Sequence, residues 1–268
     1  MVAFSVCVVM VKMKEKTVFL TGGYAGIGLS LCKLLLQQGA NVFIVDYAPQ
    51  EKLDKLMNEL AGTYGKKIVA KHCDVTNFVA LEALFLQAVH DFQNVDIVIN
   101  NAGVSESNDF WLATSASMKY VLDVDIGAVI EGTRLAVVHL MSKNQPGVII
   151  NIASAGGLYP MPFAPVYSAA KYGVVGFSRS LFEQKELRRR EIRVHAVCPA
   201  FVDTAMMNKG RESNQEMKSS VQQIGVVSPE FIAAAILELL ENDQASSVLT
   251  VNAKHGARYP FPVNKSKL

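Results

Sequence analysis

The chain is short of the features that mark specialised protein classes. Only four of its 268 residues are cysteine, Cys7, Cys32, Cys73 and Cys198, and none forms a CxxC pair. That excludes a disulfide-stapled scaffold and reads as reduced, buried thiols of an intracellular protein. The 9 prolines and 18 glycines follow no period, which excludes a collagen or a low-complexity chain. Charge of one sign is missing too: 26 basic and 24 acidic residues leave a net +2, too little for a nucleic-acid surface. The five histidines, His72, His90, His139, His195 and His255, lack metal-ligand spacing, so no metal is expected. No apolar run reaches the ~20 residues that span a bilayer. Met1–Val11 is apolar but short, and it lacks the leading charges of a signal peptide. Residues 1–15 are therefore expected to be an N-terminal extension without a stable membrane span, and Met10 or Met13 is a possible natural start.

What is present is half hydrophobic sequence in alternating patterns. Continuously apolar strands are expected at Lys16–Leu20, Asn41–Val45, Lys67–Ala70, Val95–Ile99, Val148–Ile152, Ile192–Val197 and Ser247–Val251. Between them, 3.6-residue periodicity predicts helices at Ile27–Gln38, Pro49–Leu60, from Thr76 or Asn77 to Phe92, within 116–143, at Pro165–Arg190 and at Pro229–Leu240. Apolar strands separated by helices imply a parallel sheet covered on both faces, hence an α/β doubly wound single domain over 16–252, with 253–268 as a tail. Residues 205–227 are polar and weakly periodic, as expected of a segment covering a substrate site.

Three sequence features point to a dinucleotide. Thr21–Gly28 (TGGYAGIG) joins the first strand to the first helix. Glycines there let the backbone approach a pyrophosphate, and the helix N-terminus offers free N–H groups. Asp46 closes the second strand, where a carboxylate accepts ribose hydroxyls and repels a 2′-phosphate, so NAD is expected over NADP. Asp74 and Val75 follow the third strand and Asn101-Ala102-Gly103 the fourth, at the strand ends where open α/β sheets bind ligands. For the chemistry, Tyr167 and Lys171 lie four apart on one helix face, so the ammonium favours the phenolate. Ser154, just past the fifth strand, is placed to hydrogen-bond a carbonyl or alkoxide oxygen.

Taken together, TGxxxGxG, Asp46, Asn100-Asn101-Ala102-Gly103, Ser154, Tyr167-x-x-x-Lys171 and Pro199 to Thr204 resemble the short-chain dehydrogenase/reductase family over Lys16–Val251. The 15-hydroxyprostaglandin and insect-type alcohol dehydrogenase members are closest in look. The resemblance implies a Rossmann-type fold and an NAD-dependent oxidoreductase acting on an apolar alcohol, ketone or aldehyde. It casts Ser154, Tyr167, Lys171 and Asp125 as the catalytic group. It casts Gly22, Tyr24, Gly26, Ile27, Gly28, Asp46, Asp74, Val75, Asn101, Ala102, Gly103, Tyr167, Lys171, Pro199, Val202 and Thr204 as the cofactor contacts. It also implies a homodimer or homotetramer through helices near 116–143 and 165–190.

Two departures stand out. Asp125 occupies the family's usual Asn position, and Ala200 replaces the usual Gly after Pro199. A carboxylate near Lys171 stabilises the ammonium, which leaves a catalytically weak NAD-binding protein or scaffold as the alternative reading. Phe201, Met206, Met207 and Leu158-Tyr159-Pro160 are candidates for an apolar substrate pocket. Lys185, Arg188, Arg189, Arg190 and Arg193 read as a solvated basic face. The last three residues, Ser266-Lys267-Leu268, match the address read by the peroxisomal import receptor, so a peroxisomal location is expected, with the cytoplasm as the alternative.

Overall fold

A computed structural model of the chain describes residues 13–65, 67–106, 109–241 and 246–261. Met1–Lys12, with Cys7 and Met10, and the terminal Ser266-Lys267-Leu268 lie outside the described residues. Strands and helices alternate as the hydrophobic pattern requires. They run β1 Thr17–Thr21, α1 Gly26–Gln37, β2 Asn41–Asp46, α2 Gln50–Tyr64, β3 Ile68–His72, α3 Phe78–Phe92 and β4 Ile97–Asn100. Next come α4 Ser115–Leu122, α5 Ala128–Lys143, β5 Gly147–Ile152, α6 Pro165–Phe182, α7 Lys185–Arg189 and β6 Ile192–Pro199. The chain continues through β7 Phe201–Val202, α8 Ala205–Ser213, α9 Gln215–Ile224, β8 Val226–Val227, α10 Pro229–Glu241, β9 Val248–Asn252 and β10 Gly256–Arg258.

Eight strands form one sheet in the order β10-β9-β6-β5-β4-β1-β2-β3, parallel except where β10 turns back along β9. The order reverses between β1 and β4, and such a switch point opens a crevice at the strands' carboxyl ends. The central strands are buried along their length, because helices cover both faces. On one face Leu31, Leu35, Ile44, Ile99, Ile236 and Leu240 join a core under α1 and α10. On the other, Phe19 packs between Phe43 and Phe85, with ring centroids 5.8 and 5.2 Å away. Each such buried side chain contributes about 1.5–3 kcal/mol.

A polar knot ties the strands of the crevice floor to α5 and α6. Asn100 Nδ2 donates to Asn151 Oδ1 at 2.8 Å and to Thr133 Oγ1 at 3.2 Å, and Asn151 Nδ2 donates to Ser178 Oγ at 3.0 Å. All four residues are buried, so the bonds fix the relative placement of β4, β5, α5 and α6.

Several expectations change. The helix anticipated over Pro165–Arg190 ends at Phe182, and α7 restarts after an extended Gln184. Arg188 Nε donates to the Phe182 carbonyl at 2.9 Å, so a side chain closes the end of α6. The basic cluster is neutralised in part by its own acids, Arg188 pairing with Glu183 and Arg189 and Arg190 with Glu186. The polar 205–227 stretch is ordered as α8 and α9, capped by Thr204 and Asn214 side chains. Asn77, rather than Thr76, caps α3 through Ala80 N–H. Among the described residues no helix is long and apolar enough to cross a membrane.

Candidate active site

A cleft of about 560 Å³ opens at the switch point. At one end lies the β1–α1 turn. Its Gly28 packs so closely that a Cβ there would sit 2.0 Å from the Gly22 carbonyl oxygen. Only glycine permits that turn. Helix α1 begins at Ala25 without a side-chain cap, so its first N–H groups stay open for an anion from the cleft, which Gly26 and Ile27 line. Asp46, at the end of β2, holds the turn in shape: Oδ2 accepts from Tyr24 N–H and Oδ1 from Ala48 N–H, both at 2.9 Å. Its carboxylate also lines the cleft, with lone pairs to spare.

Gly22, Tyr24, Gly26, Ile27, Asp46, Asp74, Val75, Asn101, Ala102, Gly103, Pro199, Val202 and Thr204 all line this one cleft. Gly28 does not; it supports the wall from behind. Asn101 is more than a wall residue, since its Nδ2 donates to Thr21 O at 3.1 Å and Gly22 O at 2.8 Å, binding the β4 end to the glycine turn. Asp74 Oδ1 is engaged locally, accepting from the Thr76 N–H and hydroxyl.

At the other end the cleft brings Ser154, Tyr167 and Lys171 together. Ser154 follows β5 and accepts from Gly156 N–H at 3.1 Å. Tyr167 and Lys171 share the inner face of α6, with Lys171 Nζ 5.4 Å from the phenol ring centre. Lys171 Nζ donates to the Ile152 carbonyl at 3.0 Å and lies 3.5 Å from Asp125 Oδ1. Asp125 stands behind Lys171, outside the cleft wall and fully buried. A π-helical turn, Asp123–Gly127, joins α4 to α5 and carries Asp125 inward. Its Oδ1 accepts from Val104 N–H at 3.0 Å, while Oδ2 is buried with no partner. Gly103 makes room: a Cβ there would sit 2.8 Å from Asp125 Oδ1.

Burial and charge act in opposite directions here. Burial raises the Asp125 carboxyl, and Lys171 only partly opposes it. At Lys171 burial pulls the ammonium down, but Asp125 and Tyr167 outweigh it and the net shift is upward. Burial likewise raises Tyr167; Lys171 and the Ser154 hydroxyl pull it down, and Asp125 pushes it further up. Burial is thus the largest influence on the phenol, and Lys171 opposes it without reversing the net shift. Cys198, nearby on β6, is pushed up to about 12, chiefly by burial, and has no nucleophilic role at neutral pH.

The remaining wall is apolar. Tyr159, Pro160, Phe201, Met206 and Met207 line it as proposed, whereas Leu158 packs into the core beneath. Met161, Phe163, Met217 and Ile224 also line it but were not singled out from the sequence. Met217 and Ile224 lie seven apart on α9, a helical spacing visible in the sequence but spread over few apolar residues. Tyr120 of α4 lines the cleft as well.

A family model described as short chain dehydrogenase matches residues 16–216. The chain is 31% identical to 15-hydroxyprostaglandin dehydrogenase (NAD(+)) of Mus musculus over 258 residues, covering 91% of this chain and 92% of that protein. It is 33% identical to a 3-oxoacyl-(acyl-carrier-protein) reductase of Chlamydia muridarum over 234 residues, covering 86% of this chain and 92% of that one. The fold is similar to a short chain dehydrogenase/reductase from Burkholderia phymatum crystallised with NAD, at a TM-score of 0.75 and 23% identity, covering 85% of this chain and 86% of that one.

Proposed function

The chain belongs to the short-chain dehydrogenase family, and from that premise we propose that it is an NAD-dependent oxidoreductase of an apolar secondary or primary alcohol and its carbonyl counterpart. One observation carries the reading: Ser154, Tyr167 and Lys171 meet in the same cleft that holds the glycine turn and Asp46. The residues fit the dinucleotide. The turn leaves no room for a Cβ at Gly28, α1 offers uncapped N–H groups, and Asp46 suits ribose hydroxyls and repels a 2′-phosphate. NAD supplies the hydride acceptor, with chemistry that is its own.

The protein's part is binding, orientation and the proton. Ser154 donates to the substrate oxygen and fixes its angle. Tyr167 takes the hydroxyl proton in oxidation and returns it in reduction. Lys171, held by the Ile152 carbonyl and Asp125, keeps a positive charge beside the phenol and stabilises its ionised form. Methionines 161, 206, 207 and 217 with Phe163 and Phe201 give the substrate end an adaptable apolar wall. The 15-hydroxyprostaglandin dehydrogenase relatives, named for a hydroxyl-bearing substrate and for NAD(+), support this reading.

The test is Tyr167→Phe. It should keep NAD binding and lose turnover by about two to four orders of magnitude, since general acid–base catalysis is worth about that much. Unchanged turnover across a panel of alcohols would overturn the proposal. A wild-type chain that binds NAD but oxidises nothing would favour the alternative suggested by Asp125, a binding protein without catalysis.

A further inference from the structure

Helix α6 carries both Tyr167 and Lys171, yet it starts weakly. Its N-cap, Ala164, makes no side-chain cap bond, and Pro165 at its first position has no N–H to offer. The first turn is closed from far along the chain: Glu106 Oε2 accepts the Tyr167 backbone N–H at 2.9 Å, across 61 positions of sequence. The other carboxylate oxygen, Oε1, is buried with no partner. An unpaired buried carboxylate oxygen is costly to keep. A serine at 164 would offer a hydroxyl oxygen to the same first-turn N–H.

Glu106 also ends a segment with contacts at the glycine turn, at Asp125 and at the start of α6. Asn101 grips the glycine turn through Thr21 O and Gly22 O. Ala102 and Gly103 line the cleft. Val104 N–H binds Asp125. Glu106 then binds the residue that bears the phenol. Six consecutive residues thus join the cofactor end of the cleft to the start of α6.

We propose that Glu106 is a positioning residue for Tyr167: its carboxylate fixes the first turn of α6 to the 101–106 segment, so that the phenol sits at its working distance from the Ser154 hydroxyl whenever that segment is in place. The proposal rests on the oxidoreductase reading, and it concerns geometry, since Glu106 touches neither Ser154 nor Lys171 in the hydrogen bonds it makes.

Three variants test it. Glu106→Ala should lower kcat by about tenfold to a hundredfold, the range a misplaced reacting group produces, with KM and NAD affinity changed less than about twofold. Glu106→Gln keeps an oxygen acceptor and should restore kcat to within about threefold. Glu106→Ala combined with Ala164→Ser supplies a local cap; it should recover the melting temperature but not kcat. Full recovery of kcat by that local cap would reduce Glu106 to a structural cap and overturn the proposal, as would an unchanged kcat in Glu106→Ala. Hydrogen exchange at the Tyr167 amide reads the contact without turnover and should speed by about tenfold or more in Glu106→Ala. An unchanged exchange rate overturns the proposal even if the wild-type chain oxidises no alcohol. Absence of wild-type activity with the exchange effect present faults the oxidoreductase reading alone.

Discussion

Replacing Asp125 by Asn separates its charge from its shape. Asn keeps an oxygen for the Val104 N–H and puts an NH₂ where the unpartnered Oδ2 now lies, so the fold should persist. The carboxylate stands 3.5 Å from Lys171 Nζ. At an effective dielectric constant of about 20, that separation is worth about 5 kcal/mol of attraction. Without it, burial acts on Lys171 unopposed by Asp125, and its pKa falls from a raised value. Tyr167 changes in the same direction. Asp125 holds the phenol up, both directly and by shielding Lys171, so removing the charge lowers the Tyr167 pKa.

In the proposed alcohol oxidation the phenolate is the proton acceptor. A lower phenol pKa therefore makes the active form available at lower pH, and the acid limb of the kcat/KM profile should move to lower pH. The assay is NADH absorbance across pH for wild type and Asp125→Asn. Tyrosinate absorbance in the NAD complex provides a second measure. An acid limb that stays put, or moves up, would refute the electrostatic account of Asp125.

His195 gives a stability prediction. It is fully buried on β6 with Nε2 unpaired, and its pKa is lowered to about 4, first by burial. Neutral His195 is favoured in the fold, so stability is complete above the unfolded value of about 6.5 and lost as pH falls towards 4; at pH 5 the loss is about 2 kcal/mol. Denaturant titrations of wild type and His195→Gln should therefore converge as pH falls, and parallel curves would contradict the assignment. Asp46→Ala removes the acceptor for Tyr24 and Ala48 N–H and the charge facing a 2′-phosphate. NAD affinity should fall about tenfold or more while the preference over NADP narrows, as judged by calorimetry with both cofactors. Ser154→Ala should cost turnover by about a hundredfold with NAD affinity retained, measured as kcat beside cofactor Kd.

The central sheet was legible because buried parallel strands are apolar throughout, as Val18–Leu20 and Val42–Val45 are. The cofactor turn was legible because its glycines stand beside a strand and a helix. What the residues did not reveal are features set by distant partners. The end of α6 at Phe182 depends on Arg188, and Glu106 accepts from the Tyr167 N–H across two intervening helices, α4 and α5, and one strand, β5. The inward turn of Asp125 needs a π bulge, which has no compositional mark. Residues 205–227 looked irregular because α8 and α9 bury few side chains, with Met207 and Val221 inside and Lys209, Arg211 and Lys218 exposed. The two-residue strands β7 and β8, and the edge strand β10, are too short to show a period.

Strands β7 and β8 pair side by side, Phe201 with Val226 and Val202 with Val227, and Asp203 N–H reaches the Val227 carbonyl at 2.9 Å. The two feet of the helical pair over the substrate end are thus stapled together apart from the main sheet. The stretch between them should therefore behave as a cassette, exchangeable with that of a relative while the strands of the main sheet keep their register. A chimera carrying a foreign stretch between Asp203 and Gly225 should therefore fold with this protein's cofactor preference and the donor's taste in alcohols.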